Sequence, residues 1–349
     1  VSLAFSGPLL ELLGRDGGGL HLRGASSRGK STALKAAVSV WGGPGFMHSW
    51  RATANGLEGV ASACNGTVLA LDELGEVSGR EAGQAAYMLA NGAGKSRANR
   101  SGTARPAARW RVAVLSSGEV SMADKLAEDG RRQKAGQAVR LLDIPADTRS
   151  DGAFDALHGS PSAAAFSDRL RSAAAEHYGS AGPAFVERVL ADRDAIRADV
   201  RARVETFATE AEARLAFGGE GQARRAVDRL GLIAAAGELA TEWGLTGWKA
   251  GTASEAAHTV LALWFEGRGG AGPAEARDAV KRVRAFLSAH GGSRFETGAG
   301  TGQKVHNRAG WRDPDREWFY IARDVWADEV HAGSDPTRAA RHLADAGLL

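Results

Sequence analysis

The sequence holds a single cysteine, Cys64, so no disulfide can form within the chain. Zinc ribbons and paired-cysteine redox motifs are excluded, and a reducing cytoplasm is the expected setting. No apolar run approaches the ~20 residues that cross a bilayer, so no membrane partner is expected. Residues 1–13 lack the basic stretch that opens a signal peptide. An initiator methionine is also missing, and the chain reads as part of a longer polypeptide. Lysine is scarce, 8 residues against 36 arginines. Net charge is small too: +3, from 44 Lys+Arg and 41 Asp+Glu, which excludes a histone-like polycation and an acidic-tail protein. A balanced total still allows a basic patch on one face. Arginine forks suit phosphate and carboxylate partners, although the Ala- and Gly-rich composition accounts for part of the excess. No internal repeat is visible.

What is present is a chain of 349 residues, 44% hydrophobic, long enough for two or three domains with real cores. Over residues 1–150 short apolar runs alternate with helical stretches. Strands are expected at Leu20–Arg23, Thr67–Leu71, Trp110–Leu115 and Val139–Pro145, and helices at 32–40 and 80–89. That alternation predicts an α/β domain with a largely parallel sheet. From about 151 the composition shifts to Ala/Arg/Glu/Leu stretches, 162–216 and 221–243, with apolar residues at helical spacing. A glycine-rich linker at 269–273 precedes a third region, 273–349. There a helix is expected over 274–290, a strand over 317–321, and a last helix opened by Asp335 and Pro336.

Between the first strand and the first helix, Gly24-Ala25-Ser26-Ser27-Arg28-Gly29-Lys30-Ser31 fits the spacing G-x-x-x-x-G-K-[ST]. Backbone N–H groups of such a loop close on phosphate oxygens at the positive end of the following helix. Ser27, Arg28 and Thr32 complete the cradle, Lys30 reaches the β- and γ-phosphates, and Ser31 holds Mg²⁺. A chance match in such a chain is roughly one in a hundred, so the flanking strand and helix decide for a nucleotide site over a plain turn. Gly92-Ala93-Gly94-Lys95-Ser96 looks similar but has Leu89 where the first glycine is required, and is rejected.

Asp72 and Glu73 follow an apolar strand, at the edge where open parallel sheets bind ligands. Asp72 suits the Mg²⁺ shell and Glu73 the attacking water. Ser116 or Ser117, at the end of another strand, could hydrogen-bond the γ-phosphate or that water. Arg140 opens the next strand and could complete a neighbouring subunit's site. Arg229 could reach a nucleotide from the helical region. Between Lys95 and Arg111 stand Lys95, Arg97, Arg100, Arg105, Arg109 and Arg111 without one acid. Such a loop or hairpin suits a nucleic-acid backbone.

Six separated runs carry a resemblance: Gly19–Thr32, Ser49–Thr53, Leu71–Gly75, Tyr87–Lys95, Leu115–Glu119 and Gly136–Pro145. In this order they resemble the family called domain of unknown function 927. That family looks like a P-loop ATPase of the AAA+ class, related to minichromosome-maintenance helicases, in phages, plasmids and mobile cassette elements. The resemblance implies an ATPase core (1–150), a helical lid (151–272) and a C-terminal winged-helix-like domain (273–349). It also implies a DNA-dependent ATPase with ATP and Mg²⁺ as cofactors, acting as a homo-hexamer or other ring on single-stranded or forked DNA. A primase-like or loading region would stand elsewhere in the longer polypeptide. Gly24, Gly29, Lys30 and Ser31 fall in its Walker A motif and Asp72 and Glu73 in its Walker B. Ser117 falls at the first sensor, where relatives often have Asn, Arg140 at the arginine finger, and residues 95–111 at a DNA-contacting hairpin. The alternative function is a nucleotide-dependent loader or switch that binds DNA without unwinding it. A small-molecule kinase is disfavoured by the Asp72-Glu73 pair, and a degenerate binding module by the intact Gly29-Lys30-Ser31.

Overall fold

Alternate residues of the short apolar strands enter different cores, and this organises the first half of the molecule. In the computed structural model, which describes residues 1–95, 97–98, 104–105, 107–131, 133, 135–218, 220–268, 274–297 and 305–349, the chain divides into two units, Val1–Ala271 and Gly272–Leu349. The first unit begins with α1 (Ser2–Leu13), β1 (Gly18–Arg23), α2 (Lys30–Val38), β2 (Met47–Ser49), α3 (Ala54–Ala63) and β3 (Val68–Asp72). It continues with α4 (Gly79–Asn91), the two-residue strands β4 (Arg97–Ala98) and β5 (Ala104–Arg105), β6 (Ala113–Gly118), α5 (Met122–Glu128), α6 (Ala135–Ala138) and β7 (Leu141–Pro145). Five strands form one parallel sheet in the order β2-β3-β6-β1-β7. The expected α/β class with a parallel sheet is what the chain adopts.

Val68, Ala70, Ala113, Leu115, Leu142 and Ile144 face a core shared with α1, α2 and the later helices. Leu69, Leu71, Val114 and Leu141 face a second core with Leu57, Ala82, Leu89 and Met122 from α3, α4 and α5. A sheet covered on both faces is the arrangement that parallel strands require. The helices that follow are α7 (Ala163–Glu176), α8 (Ala181–Ala191), α9 (Arg193–Leu215), α10 (Gly221–Glu242) and α11 (Thr252–Gly267). The stretch expected to be helical over 162–216 is thus three helices. Gly179, left-handed at φ +76°, breaks it once, and Asp192 breaks it again by capping α9 through the Ala195 amide.

The second unit holds α12 (Ala274–His290), β8 (Phe295–Thr297), β9 (Gly310–Asp313), β10 (Trp318–Ile321), α13 (Arg323–Val325), a π-turn at Trp326–Val330, and α14 (Pro336–Asp345). Its sheet runs β10-β9-β8, with β9 antiparallel to β10 and parallel to β8. Asp335 caps α14 by accepting from the Thr337 and Arg338 amides, as the Asp-Pro pair predicts.

Candidate nucleotide site

Strand β1 leads into the glycine loop and the loop into α2, so the N-terminal amides of α2 open on the C-terminal edge of the sheet. Two glycines make the loop's path available. Gly24 sits at φ +154°, where a Cβ would lie 2.8 Å from the Asp147 carboxyl carbon, and Gly29 at φ +83°, where one would lie 2.8 Å from the Phe154 ring. The Lys30 ammonium donates to the carbonyls of Gly24 (2.8 Å) and Ala25 (2.6 Å). Two of its three N–H groups are so engaged, and one is left for a ligand.

Because β6 lies between β1 and β3, its C-terminal end falls between the loop and the acidic pair. Ser117, paired with Leu22 of β1, donates its hydroxyl to Asp72 Oδ1. Ser31 donates to the same oxygen at 3.2 Å. Glu73 follows in the left-handed region, φ +62°, and starts the turn Leu74–Glu76. The Glu76 carboxyl shares a hydrogen bond with Glu73 and adds its charge, with Asp72 contributing, so Glu73 is held above the usual carboxylate range. These groups line one cleft of about 650 Å³, which Ser26, Ser27, Arg28, Gly29 and Thr32 enter from the loop. The donor set is a phosphate cradle, a cation, two hydroxyls and paired carboxylates.

Sequence reasoning missed several supports of this cleft. Asp147, just after β7, accepts from the Ala25 amide at 3.0 Å, and the Ala153 amide donates to the Arg28 carbonyl at 2.9 Å. The segment 147–154 is therefore strapped over the loop. Lys125 of α5 lines the cleft and donates to the Gly75 carbonyl (3.0 Å) and to Glu128 (2.7 Å), bracing the turn that carries Glu73. Behind Ser117, buried His21 of β1 stands 2.8 Å from Ser116 Oγ and 2.9 Å from the Val120 carbonyl. A carbonyl only accepts, so Nε2 carries the proton; Ser116 then donates to Nδ1 while accepting from Trp50 Nε1 at 2.8 Å. Burial pushes His21 below its ordinary pKa, which keeps the ring in this neutral form. Two adjacent serines thus divide their work, Ser116 in the core and Ser117 at the cleft.

Two of the expected site residues are elsewhere. The Gly19 amide donates to the Arg140 carbonyl at 2.8 Å, which puts Arg140 at the N-terminal end of β1. Six residues at ~3.3 Å each set it about 20 Å from the loop. Arg140 donates to the Gly136 carbonyl and lies over the Tyr87 ring at 5.2 Å. Arg229 on α10 is at the same end: it donates to the Gly17 carbonyl at 3.2 Å, and its Nε has no hydrogen-bond partner among the described residues. Arg229 thus stands beside Gly18, at the end of β1 away from the glycine loop, on a helix that packs against α1. Burial, with Arg140 adding repulsion, lowers Arg229 to about 10. Arg15, Arg140, Arg225 and Arg229 share a cavity of about 380 Å³ with Asp16 and Asp228. Of the basic stretch, Lys95 is exposed, Arg97 and Arg105 are opposite each other in the antiparallel pair β4–β5, and Arg100 lies outside the described residues.

Fold and cleft together define an α/β protein with a Rossmann- or P-loop-like core and its candidate ligand site at the C-terminal edge of a parallel sheet. Residues 1–109 match the family model described as Domain of unknown function (DUF927), the family that the motifs resemble. A solved structure titled "SCCmec type IV Cch - active helicase" shares the fold, with a TM-score of 0.74 and 21% sequence identity. The alignment covers 99% of this chain and 62% of that one, so this chain spans less than two thirds of that helicase. No curated protein matches the chain. No helix among the described residues is long and apolar enough to cross a membrane.

Proposed function

We propose that the chain is the motor part of an ATP-dependent DNA helicase or translocase of the AAA+ class, serving replication of a mobile element or phage. The observation that carries this reading is the meeting of Lys30, Ser31, Asp72 and Ser117 at one cleft. Loop amides and the free N–H of Lys30 bind the β- and γ-phosphates. Ser31 and Asp72 offer hard oxygen donors 3.2 Å apart, the ligand type Mg²⁺ takes. Held there, Mg²⁺ would offset charge on the phosphates. Glu73 orients the attacking water and takes its proton, and Ser117 donates to the γ-phosphate as charge develops.

Arg140 stands too far from its own loop to act there, so it serves the nucleotide of a neighbouring copy in a ring, with Arg229 beside it. Helices α7–α11 form the lid, and the second unit is the winged-helix-like domain. Lys95 and the other bases of the acid-free stretch 95–111 follow the DNA backbone. The name of the structural neighbour supports the helicase class. The test is the rate of ATP hydrolysis with and without single-stranded DNA, alongside the mass of the assembly. Stimulation by DNA in an oligomer is expected. Lys30→Ala is expected to lower hydrolysis about 100-fold or more. Unchanged turnover in that variant would sink the site assignment, and a monomer indifferent to DNA would overturn the motor. Stimulated hydrolysis without strand displacement would leave a loader.

A further inference from the structure

The second unit presents a surface that the nucleotide cleft does not use. Strands β9 and β10 set Trp311 opposite Tyr320 and Asp313 opposite Trp318. Side chains alternate across a strand, so Trp311, Trp318 and Tyr320 rise from one face. Phe319 and Ile321 rise from the other and pack with Phe286 and Phe295. The three outer rings are 46%, 55% and 47% exposed. Arg308 lies over Trp311 at 4.4 Å and Arg316 over Trp318 at 5.6 Å. Their carboxylate partners, Glu296 at 2.6 Å and Asp313 at 4.0 Å, form surface ion pairs, which contribute little in water.

We infer that this face is a stacking platform for single-stranded nucleic acid. Bases lie against Trp311, Trp318 and Tyr320, and Arg308 and Arg316 exchange their weak carboxylate pairs for backbone phosphates. Rings on neighbouring strands of an open sheet, with guanidinium groups over two of them, match a polymer that alternates flat bases with anions. A protein partner would desolvate two guanidinium–carboxylate pairs at the centre of the contact, where interfaces are depleted of charge. A single strand leaves those groups at its wet edge. The platform shares with the ATPase reading only its nucleic-acid partner.

The test uses the full chain and fluorescently labelled oligo-dT at several salt concentrations. Trp311→Ala with Trp318→Ala is expected to weaken binding about tenfold or more with the salt slope unchanged, and Phe at both positions to restore most of it. Arg308→Ala with Arg316→Ala is expected to flatten the slope. Hydrolysis of ATP without DNA stays at the parent rate in each, so failure of the platform and failure of the ATPase reading are told apart. Affinity within about twofold of the parent in the Trp pair overturns the platform. If that pair changes the mass of the assembly while affinity holds, the face joins protein copies and the proposal likewise falls. Ultraviolet crosslinking of the unaltered chain to oligo-dT removes any dependence on how the variants fold. Adducts within 308–320 support the platform, and adducts confined to residues before 272 overturn it.

Discussion

The chemistry open to Glu73 depends on its neighbours. A carboxylate that takes a proton from water must itself be ionised. Glu76, first through the shared hydrogen bond and then through its charge, with Asp72 adding, holds Glu73 above the usual carboxylate range. If Glu73 is the base of an ATPase, the acid limb of the rate profile is expected at higher pH than an isolated glutamate would give, with activity lost as pH drops through that raised value. Glu76→Gln removes the like charge and supplies an amide N–H that favours ionised Glu73. Both changes lower the Glu73 pKa, so the acid limb is expected to move to lower pH. A profile of hydrolysis against pH for parent and variant measures this directly. An unmoved limb would remove Glu73 from the role of base.

Between the residue and the whole stands the strap over the phosphate loop. Gly29→Ala places a methyl against the Phe154 ring at 2.8 Å and forces a left-handed alanine. Backbone strain of this kind costs ~1–3 kcal/mol, and the contact adds to it. Urea unfolding is expected to show the loss, with nucleotide affinity falling in parallel. Combining it with Phe154→Ala should return the steric share and leave the backbone share, a coupling that a double-mutant cycle isolates. The loop itself was legible in the sequence, since its spacing lies within eight consecutive residues. So were β3 and α4, whose periodicities are local. The strap was not, because Asp147 contacts Ala25 from 122 residues away. Helix α1 escaped for another reason: Leu3, Ala4, Phe5, Ser6, Leu9, Leu10 and Leu12 are buried around its circumference, so it has no polar face to reveal a helical period. The place of Arg229 was not legible for the reason that hid the strap. Its helix could be read, but which edge of the sheet α10 packs against depends on strand order, which no short stretch encodes.

At the scale of the whole molecule, the phosphate loop and Arg140 belong to opposite edges of one sheet, about 20 Å apart along β1. A head-to-tail ring is the assembly that brings such edges together, because each copy offers one edge and receives the other. The consequence can be tested without any structure of the ring. Lys30→Ala removes the loop's cation but leaves Arg140 intact; Arg140→Ala does the reverse. Each variant alone is expected to be inactive in hydrolysis. Mixed in equal amounts and allowed to exchange, a loop from the Arg140→Ala copy meets an arginine from the Lys30→Ala copy at about a quarter of the junctions. Hydrolysis should reappear on mixing, reach a share near that fraction, and depend on protein concentration as assembly does. If Arg140 instead acted within its own chain, every copy in the mixture would lack one essential group, and no ratio would restore turnover. Guanidinium geometry adds a second expectation. Arg140→Lys keeps the charge but loses the planar fork that spreads over a phosphoryl group, so it should rescue the mixture poorly even though it preserves the electrostatics of the edge.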